Sequence, residues 1–322
     1  MATIASIIIP CYNSGIFLKD AIASALSQTY PLVEVVVIDD GSTDDSPAIL
    51  RTFGDRIRWE TQTNQGAPSA RNRGLALAQG TYVKFLDADD VLLPNAIEQQ
   101  VQQSQQLPTD RKAIVYGEAV WVDQHRSPLP GYPLRSRQPE EDAITHILTA
   151  CPLTSCPLHK RNYLQEVNGF DPTLPRGQEH DLHLRLALAG VEFIYFPDAI
   201  YEYRNYKNSG RISTQTLSGQ DALLQYNILQ KQLTLVEGYQ KQPLSSGVRR
   251  AFAQRFWQFG RAVLREGNAA AARQYFQAAK ALDAQHCIVG KTPYPRLVRW
   301  FGPQAAEAIF NTFKQLKLKR IG

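Results

Sequence analysis

Apolar positions come in short runs separated by helical patterns. Residues 5–9 and 33–38 are almost continuously apolar and β-branched, the pattern of strands covered on both faces. Between them Phe17, Leu18, Ala21, Ile22, Ala25 and Leu26 recur at helical spacing, with Asn13 or Ser14 placed to cap and Pro31 beyond the end. Leu50 and Phe53 close a short helix, and 57–60 predicts a third strand. After a turn at Asn64-Gln-Gly66, residues 67–79 predict a helix stopped by Gly80. Residues 82–90 predict a buried strand that runs into Asp87, Asp89 and Asp90, with Pro94 in the first turn of the next helix. The alternation predicts an α/β fold: a mostly parallel sheet with helices on both sides.

Two of these strands end in acids: Asp39 with Asp40, and Asp87 with Asp89 and Asp90. In open α/β sheets the ligand binds at the carboxyl ends of strands. Clustered carboxylates repel one another, and a hard cation such as Mg²⁺ or Mn²⁺ relieves that repulsion. A solvated acidic turn is the plain alternative.

Composition narrows the classes. The chain has 322 residues, is 43% hydrophobic and 20% charged, as expected of a soluble globular protein. No apolar run is long enough to span a bilayer. The start lacks a basic n-region, so no signal peptide is expected. Cys11, Cys151, Cys156 and Cys287 have no metal-ligand spacing and read as free thiols of a cytoplasmic protein. Net charge is +5, yet residues 291–322 hold seven basic residues and one acid, so that segment is +6 and the rest −1. A nucleic-acid reader should be basic over its working face, and this chain is not. No Gly-x-Gly-x-x-Gly follows the first strand, which argues against a dinucleotide cofactor. Gly290-Lys-Thr292 lacks the glycine of a phosphate loop, because position 285 is Gln285.

The pieces Ser6-Ile-Ile-Ile-Pro-Cys-Tyr-Asn13, Ser27-Gln-Thr-Tyr30, Val37-Ile-Asp-Asp-Gly-Ser-Thr-Asp44, Asn64-Gln-Gly66, Ala70-Arg-Asn-Arg-Gly74 and Phe85-Leu-Asp-Ala-Asp-Asp90 occur in this order over the first hundred residues. Together they resemble inverting family 2 glycosyltransferases of the GT-A fold. The resemblance implies a nucleotide-sugar donor, in particular a UDP-sugar, and a Mn²⁺ or Mg²⁺ ion. It implies that Pro10, Tyr12, Asn13, Asp39 and Asp40 line the nucleoside pocket, with Asp40 accepting a base N–H. Arg71 would lie near the base or phosphates, Asp87 near the ribose, and Asp87 and Asp89 would form the Asp-x-Asp metal site.

Residues 114–122 predict a strand with a glycine break, 127–141 a mobile loop, and 144–148 a helix. Gly169-Phe-Asp171 and Gly177-Gln-Glu-His-Asp181 resemble the family's second signature, a turn before an acidic helix mouth. Glu179 stands where the family usually has Asp, and would be the general base that takes the acceptor proton. Asp181 is its rival, although four-residue spacing to Arg185 offers it an ion pair. Glu179 and His183 share that spacing. His180 and His183 alone are a weak metal signature. The stretch 203–211 resembles a loop that closes over the diphosphate, with Lys207 and Arg211 sharing its charge.

These features divide the chain into a GT-A domain at 1–215, with a nucleotide-sugar half (1–100) and an acceptor half (101–215), and a helical region at 216–322. Phe256, Phe259, Gly260, Val263 and Leu264, with Gly267, Ala271, Tyr275, Phe276 and Ala279, resemble one tetratricopeptide-like hairpin. Residues 303–318 predict an amphipathic helix with Ile309, Phe310, Phe313 and Leu316 on one face. With Trp300-Phe301 before it and Lys314, Lys317, Lys319 and Arg320 at its end, residues 300–320 can lie on an anionic membrane at its inner face or dock on the protein's own core. The expected activity is metal-dependent inverting transfer of a sugar to a hydroxyl of a glycan or lipid-linked acceptor. The alternatives are a non-catalytic nucleotide-sugar-binding protein of polysaccharide assembly and a nucleotidyltransferase.

Overall fold

The computed structural model describes residues 3–206, 219–239 and 243–318, with backbone alone for 219, 220, 311 and 313–318. Two compact units divide the chain, Met1–Asn208 and Ser209–Gly322. Arg211 and Lys207, expected on a loop over the diphosphate, lie outside the described residues, as do Lys319 and Arg320 and the side chains of Phe313, Lys314, Leu316 and Lys317.

In the first unit β1 (Ala5–Cys11), α1 (Gly15–Leu26), β2 (Val33–Asp39), α2 (Ser46–Thr52), β3 (Arg58–Thr61), α3 (Ala67–Leu77) and β4 (Tyr82–Phe85) follow the predicted alternation. Then come β5 (Val91–Leu92), α4 (Ala96–Gln105), β6 (Ala113–Val122), α5 (Ala143–Ala150), β7 (Pro157–Lys160), α6 (Arg161–Glu166), α7 (Gln178–Leu188) and β8 (Glu192–Arg204). One eight-stranded sheet runs β3-β2-β1-β4-β7-β6-β8-β5. The β1–β4 strands are mutually parallel, β7 is antiparallel to β4 and β6, and β8 is parallel to β6. Helices cover the sheet, and β1 and β2 supply the core residues Ile7, Ile8, Ile9, Val36, Val37 and Ile38. This mixed sheet flanked by helices is the expected GT-A class.

Two local expectations need correction. The run 82–90 is strand only to Phe85, because the three acids turn the chain. The chain then pairs Val91 and Leu92 antiparallel with β8, so Pro94 precedes the helix, which starts at Ala96 behind Asn95. The 127–141 segment is a loop, as expected, and is hydrogen-bonded to β6 at two points: Tyr116 donates to the Arg135 carbonyl at 2.7 Å and Glu118 accepts from Leu134 N–H at 2.9 Å. The glycine break in β6 is a bulge between Tyr116 and Glu118. A Cβ at Gly117 would stand 2.6 Å from the Asp198 carbonyl.

The second unit is helical where described: α8 (Leu224–Tyr239), α9 (Ser246–Arg265), α10 (Ala269–Leu282) and α11 (Tyr294–Leu318), which is broken at Gly302. α9 and α10 form the predicted hairpin, and Phe252, Phe256, Trp257, Tyr275 and Phe276 fill it. Gly260 is what lets the two helices approach, since a Cβ there would lie 2.9 Å from Tyr275 and Phe276. No helix among the described residues is long and apolar enough to cross a membrane.

Candidate active site

The carboxyl ends of β1 and β2 are laced together. Asn13, at φ 48°, accepts from Thr43 N–H at 2.8 Å and donates its own N–H to Ser42 Oγ at 2.9 Å. The N-terminus of α1 is capped from the neighbouring loop, with Gly15 N–H donating to Asp44 at 2.9 Å; Ser14 makes no side-chain cap. Asp39 is fully buried and accepts from Ser42 N–H and the Thr61 hydroxyl. Asp40, 3% exposed, accepts from Gln62, from Gln65 N–H and from Gly66 N–H at 2.7–2.9 Å. Two adjacent buried carboxylates are tolerable because donors surround them. Three donors leave Asp40 room for about one further hydrogen bond. Tyr12 is 50% exposed at the same loop, so its ring is not spent on the core.

Arg71 is the hub of the site. It is 6% exposed on α3. One terminal nitrogen donates to Asp87 at 2.7 Å and the other to Gln178 at 2.8 Å. Its guanidinium lies 5.2 Å from the Phe170 ring centroid, and its Nε, buried, has no partner. The next residue, Asn72, clasps the Phe170 backbone in both directions at 2.8 Å. The expected Gly-Phe-Asp turn is therefore held by the Arg-Asn pair of α3, and α7 starts just beyond it.

A second arginine holds the other side of the acid turn. Arg204, 1% exposed at the end of β8, gives its N–H to Asp90 at 3.0 Å and one guanidinium nitrogen to the Asp89 carbonyl at 3.1 Å. The other nitrogen pairs with Asp20 at 2.6 Å, and the group sits 4.6 Å above the Phe17 ring. Tyr206 donates its hydroxyl to the Asp89 carboxylate at 3.2 Å and packs edge-on against Phe17. Arg204, Tyr206, Gln178 and Asn72 were not predicted as site residues. Their partners are far away in sequence, so no spacing rule marks them; the only signal was their place inside the matching stretches.

At the mouth of α7, Glu179 and His180 are each 23% exposed and stand 3.1 Å apart. Burial raises the Glu179 carboxyl, but His180, a backbone N–H and Arg71 outweigh it and lower the group to about 2. Its partner is thus His180, not the His183 that the four-residue spacing suggested. His183 is buried between His159 and Phe193, and burial lowers it to about 3, so it is neutral at neutral pH. Asp181 takes the ion pair expected of it, with Arg185 at 2.8 Å.

Among the described residues no three His, Cys, Asp or Glu groups converge as a metal cage. The donor set still fits Mg²⁺ or Mn²⁺ in another way. Asp87 and Asp89 are part-exposed carboxylates at a strand end, and such ions are bound through one or two carboxylates with substrate phosphates supplying the rest. Asp87 uses only Oδ1 for Arg71.

Similarity to known proteins supports the fold and the family. The family model for glycosyl transferase family 2 matches residues 6–167, and the chain belongs to that family. An uncharacterized glycosyltransferase of Rickettsia bellii is 36% identical over 205 residues, 61% of this chain and 29% of that protein. Glycosyltransferase GlyG of Streptococcus pneumoniae is 38% identical over 114 residues, 34% of this chain and 38% of its own. The matches span about a third of the length of such curated relatives. In the solved structure of S. aureus TarS 1–349 with UDP-GlcNAc the fold recurs at a TM-score of 0.69, with 19% identity, over 97% of this chain and 92% of that one. The nucleotide sugar there belongs to TarS; at that identity the likeness carries the fold alone. The family match ends before Glu179, so it says nothing about the base.

Proposed function

We propose that this glycosyltransferase moves a sugar from a UDP-sugar to a hydroxyl of a glycan or lipid-linked acceptor, with inversion at the anomeric carbon. The observation that carries the reading is the Arg71 bridge: one guanidinium joins Asp87 of the acid turn to Gln178, the residue before Glu179. One buried cation therefore ties the donor-side acid turn to the first residue of the helix that carries the candidate base.

In this reading the nucleoside packs beside Tyr12 with Asp40 accepting from the base, and Pro10, Asn13 and Asp39 shape the loop beneath it. A divalent ion would be held by Asp87 and Asp89 and would offset charge on the diphosphate. Glu179, ionised at neutral pH, accepts the proton of the acceptor hydroxyl. The oxygen attacks the anomeric carbon, the bond to the diphosphate breaks, and its electron pair leaves with UDP. Arg71 adds fixed positive charge near the diphosphate, where negative charge develops as the leaving group departs. Asp181, closed by Arg185, has the positioning role.

The test uses the full chain with a panel of UDP-sugars and Mn²⁺. Calorimetry should show Mn²⁺-dependent donor binding that Asp89→Ala loses. Glu179→Gln should keep donor affinity and lose transfer by on the order of a hundredfold or more. A retained anomeric configuration in the product, or unimpaired transfer by Glu179→Gln, would overturn the assignment.

A further inference from the structure

Of the apolar stripe predicted for residues 303–318, Ile309 and Phe310 are half-buried, and the buried positions of the helix lie beside them. Ala306 is fully buried and Glu307 3% exposed. Glu307 is paired with Arg261 at 2.9 Å, and Phe310 packs on Tyr294. The described part of that stripe thus packs at least partly within its own unit. The exposed apolar groups lie one turn earlier, at the break in α11: Trp300 is 77% and Phe301 56% exposed. An indole and a phenyl left in water at a helix bend call for an explanation.

Their surroundings supply a charge pattern. Arg296, Arg299 and Trp300 are all exposed and stand three and four residues apart, hence on one helix face. On α10, Arg273, Gln277 and Lys280 are exposed at the same kind of spacing. A groove of about 350 Å³ runs between α10 and the break in α11, lined by Arg273, Lys280 and Phe276 on one side and Phe301 and Gln304 on the other. Each of the two adjacent aromatics thus has its own exposed cations, Arg273 and Lys280 across the groove from Phe301 and Arg296 and Arg299 on the helix face of Trp300, and the chain from 291 onward carries a charge of +6. Trp favours the bilayer interface, and Arg and Lys bury their stems there while their heads meet phosphates.

We infer that this bend is a docking surface for an anionic phospholipid bilayer, with Trp300 and Phe301 entering the headgroup layer and Arg273, Lys280, Arg296 and Arg299 contacting lipid phosphates. Charge complementarity selects the occupant: a protein partner would need a matching acidic hollow, whereas a bilayer needs only negative charge and a soft interface. Nothing in this inference depends on the transfer chemistry, so it can fail while that stands.

Sedimentation of the full chain with vesicles tests it. The chain should pellet with vesicles containing phosphatidylglycerol, stay in solution with phosphatidylcholine alone, and be released as salt rises. Each cation near an anionic surface contributes about fivefold in affinity, so Arg296→Ala with Arg299→Ala should weaken binding on the order of thirtyfold. Trp300→Ala with Phe301→Ala should weaken it too, while far-ultraviolet circular dichroism stays unchanged because these side chains carry little packing. Equal pelleting of the variants, binding to both vesicle types alike, or release by inorganic phosphate at equal phosphorus content would each overturn the assignment; the last would make it a free-anion site.

Discussion

Arg71 decides what the acid turn can do. A guanidinium buried to 6% exposure is costly unless its donors are met, and here Asp87 and Gln178 meet two of them while Phe170 covers one face. Lysine has neither the fork nor the reach for two partners, so Arg71→Lys should lower donor affinity and transfer together; calorimetry and turnover on the same preparation check it. Asp181→Asn should instead lower stability by about 1–3 kcal/mol in urea unfolding, since Arg185 would lose its charged partner. Glu179 gives a pH signature. Its folded value of about 2 lies below the ordinary 4.5, so the stability it contributes is present above 4.5 and is lost as pH falls toward 2. Glu179→Gln should flatten that part of the acid-unfolding curve; superimposable curves would deny the ion pair with His180. The Asp181–Arg185 pair was legible from spacing alone. Arg204 was not, because Asp20, Asp89 and Asp90 reach it only after the sheet is assembled.

Elements were legible in proportion to their length. The helices and the long apolar strands announce themselves by period. β5, two residues long, and β7, four, are too short to have a period; pairing with β8, β4 and β6 makes them strands. The run 82–90 overshot because carboxylates end a strand without breaking its apolar pattern. Helix α3 shows how closely elements can be fitted: a Cβ on Gly74 would stand 2.3 Å from Ile8 Cγ2 on β1. Gly74→Ala should therefore push α3 off the sheet and destabilise by about 1–3 kcal/mol, despite alanine's better helix propensity. A melting temperature at or above that of the parent chain would refute this. In α9 the same substitution at Gly260 meets aromatic side chains instead of a strand.

At the scale of the molecule, one cation stands out in the first unit. Lys84 on β4 is fully buried, donating to Gln100 at 2.7 Å and to the Cys156 carbonyl at 3.3 Å, and burial lowers it from 10.5 to about 7. Between about 7 and 10.5 the unfolded chain binds more protons here than the folded one, so this group makes stability rise with pH across that window. Relative to Lys84→Met, the parent chain should gain on the order of a few kcal/mol as pH rises through it; parallel curves in chemical denaturation would count against a buried amine. The order of assembly follows from the second arginine. The acid turn at 87–90 is made early in the chain, yet Asp89 and Asp90 are tethered by Arg204 and Tyr206, and β5 beside it pairs, among the described residues, with β8 alone. A ribosome delivers the recognisable hundred residues first, with Arg71 at hand for Asp87 but with Arg204 and Tyr206 still to come for Asp89 and Asp90. The finished form of the acid turn is thus a late event in synthesis: it waits until the chain has been made past Tyr206.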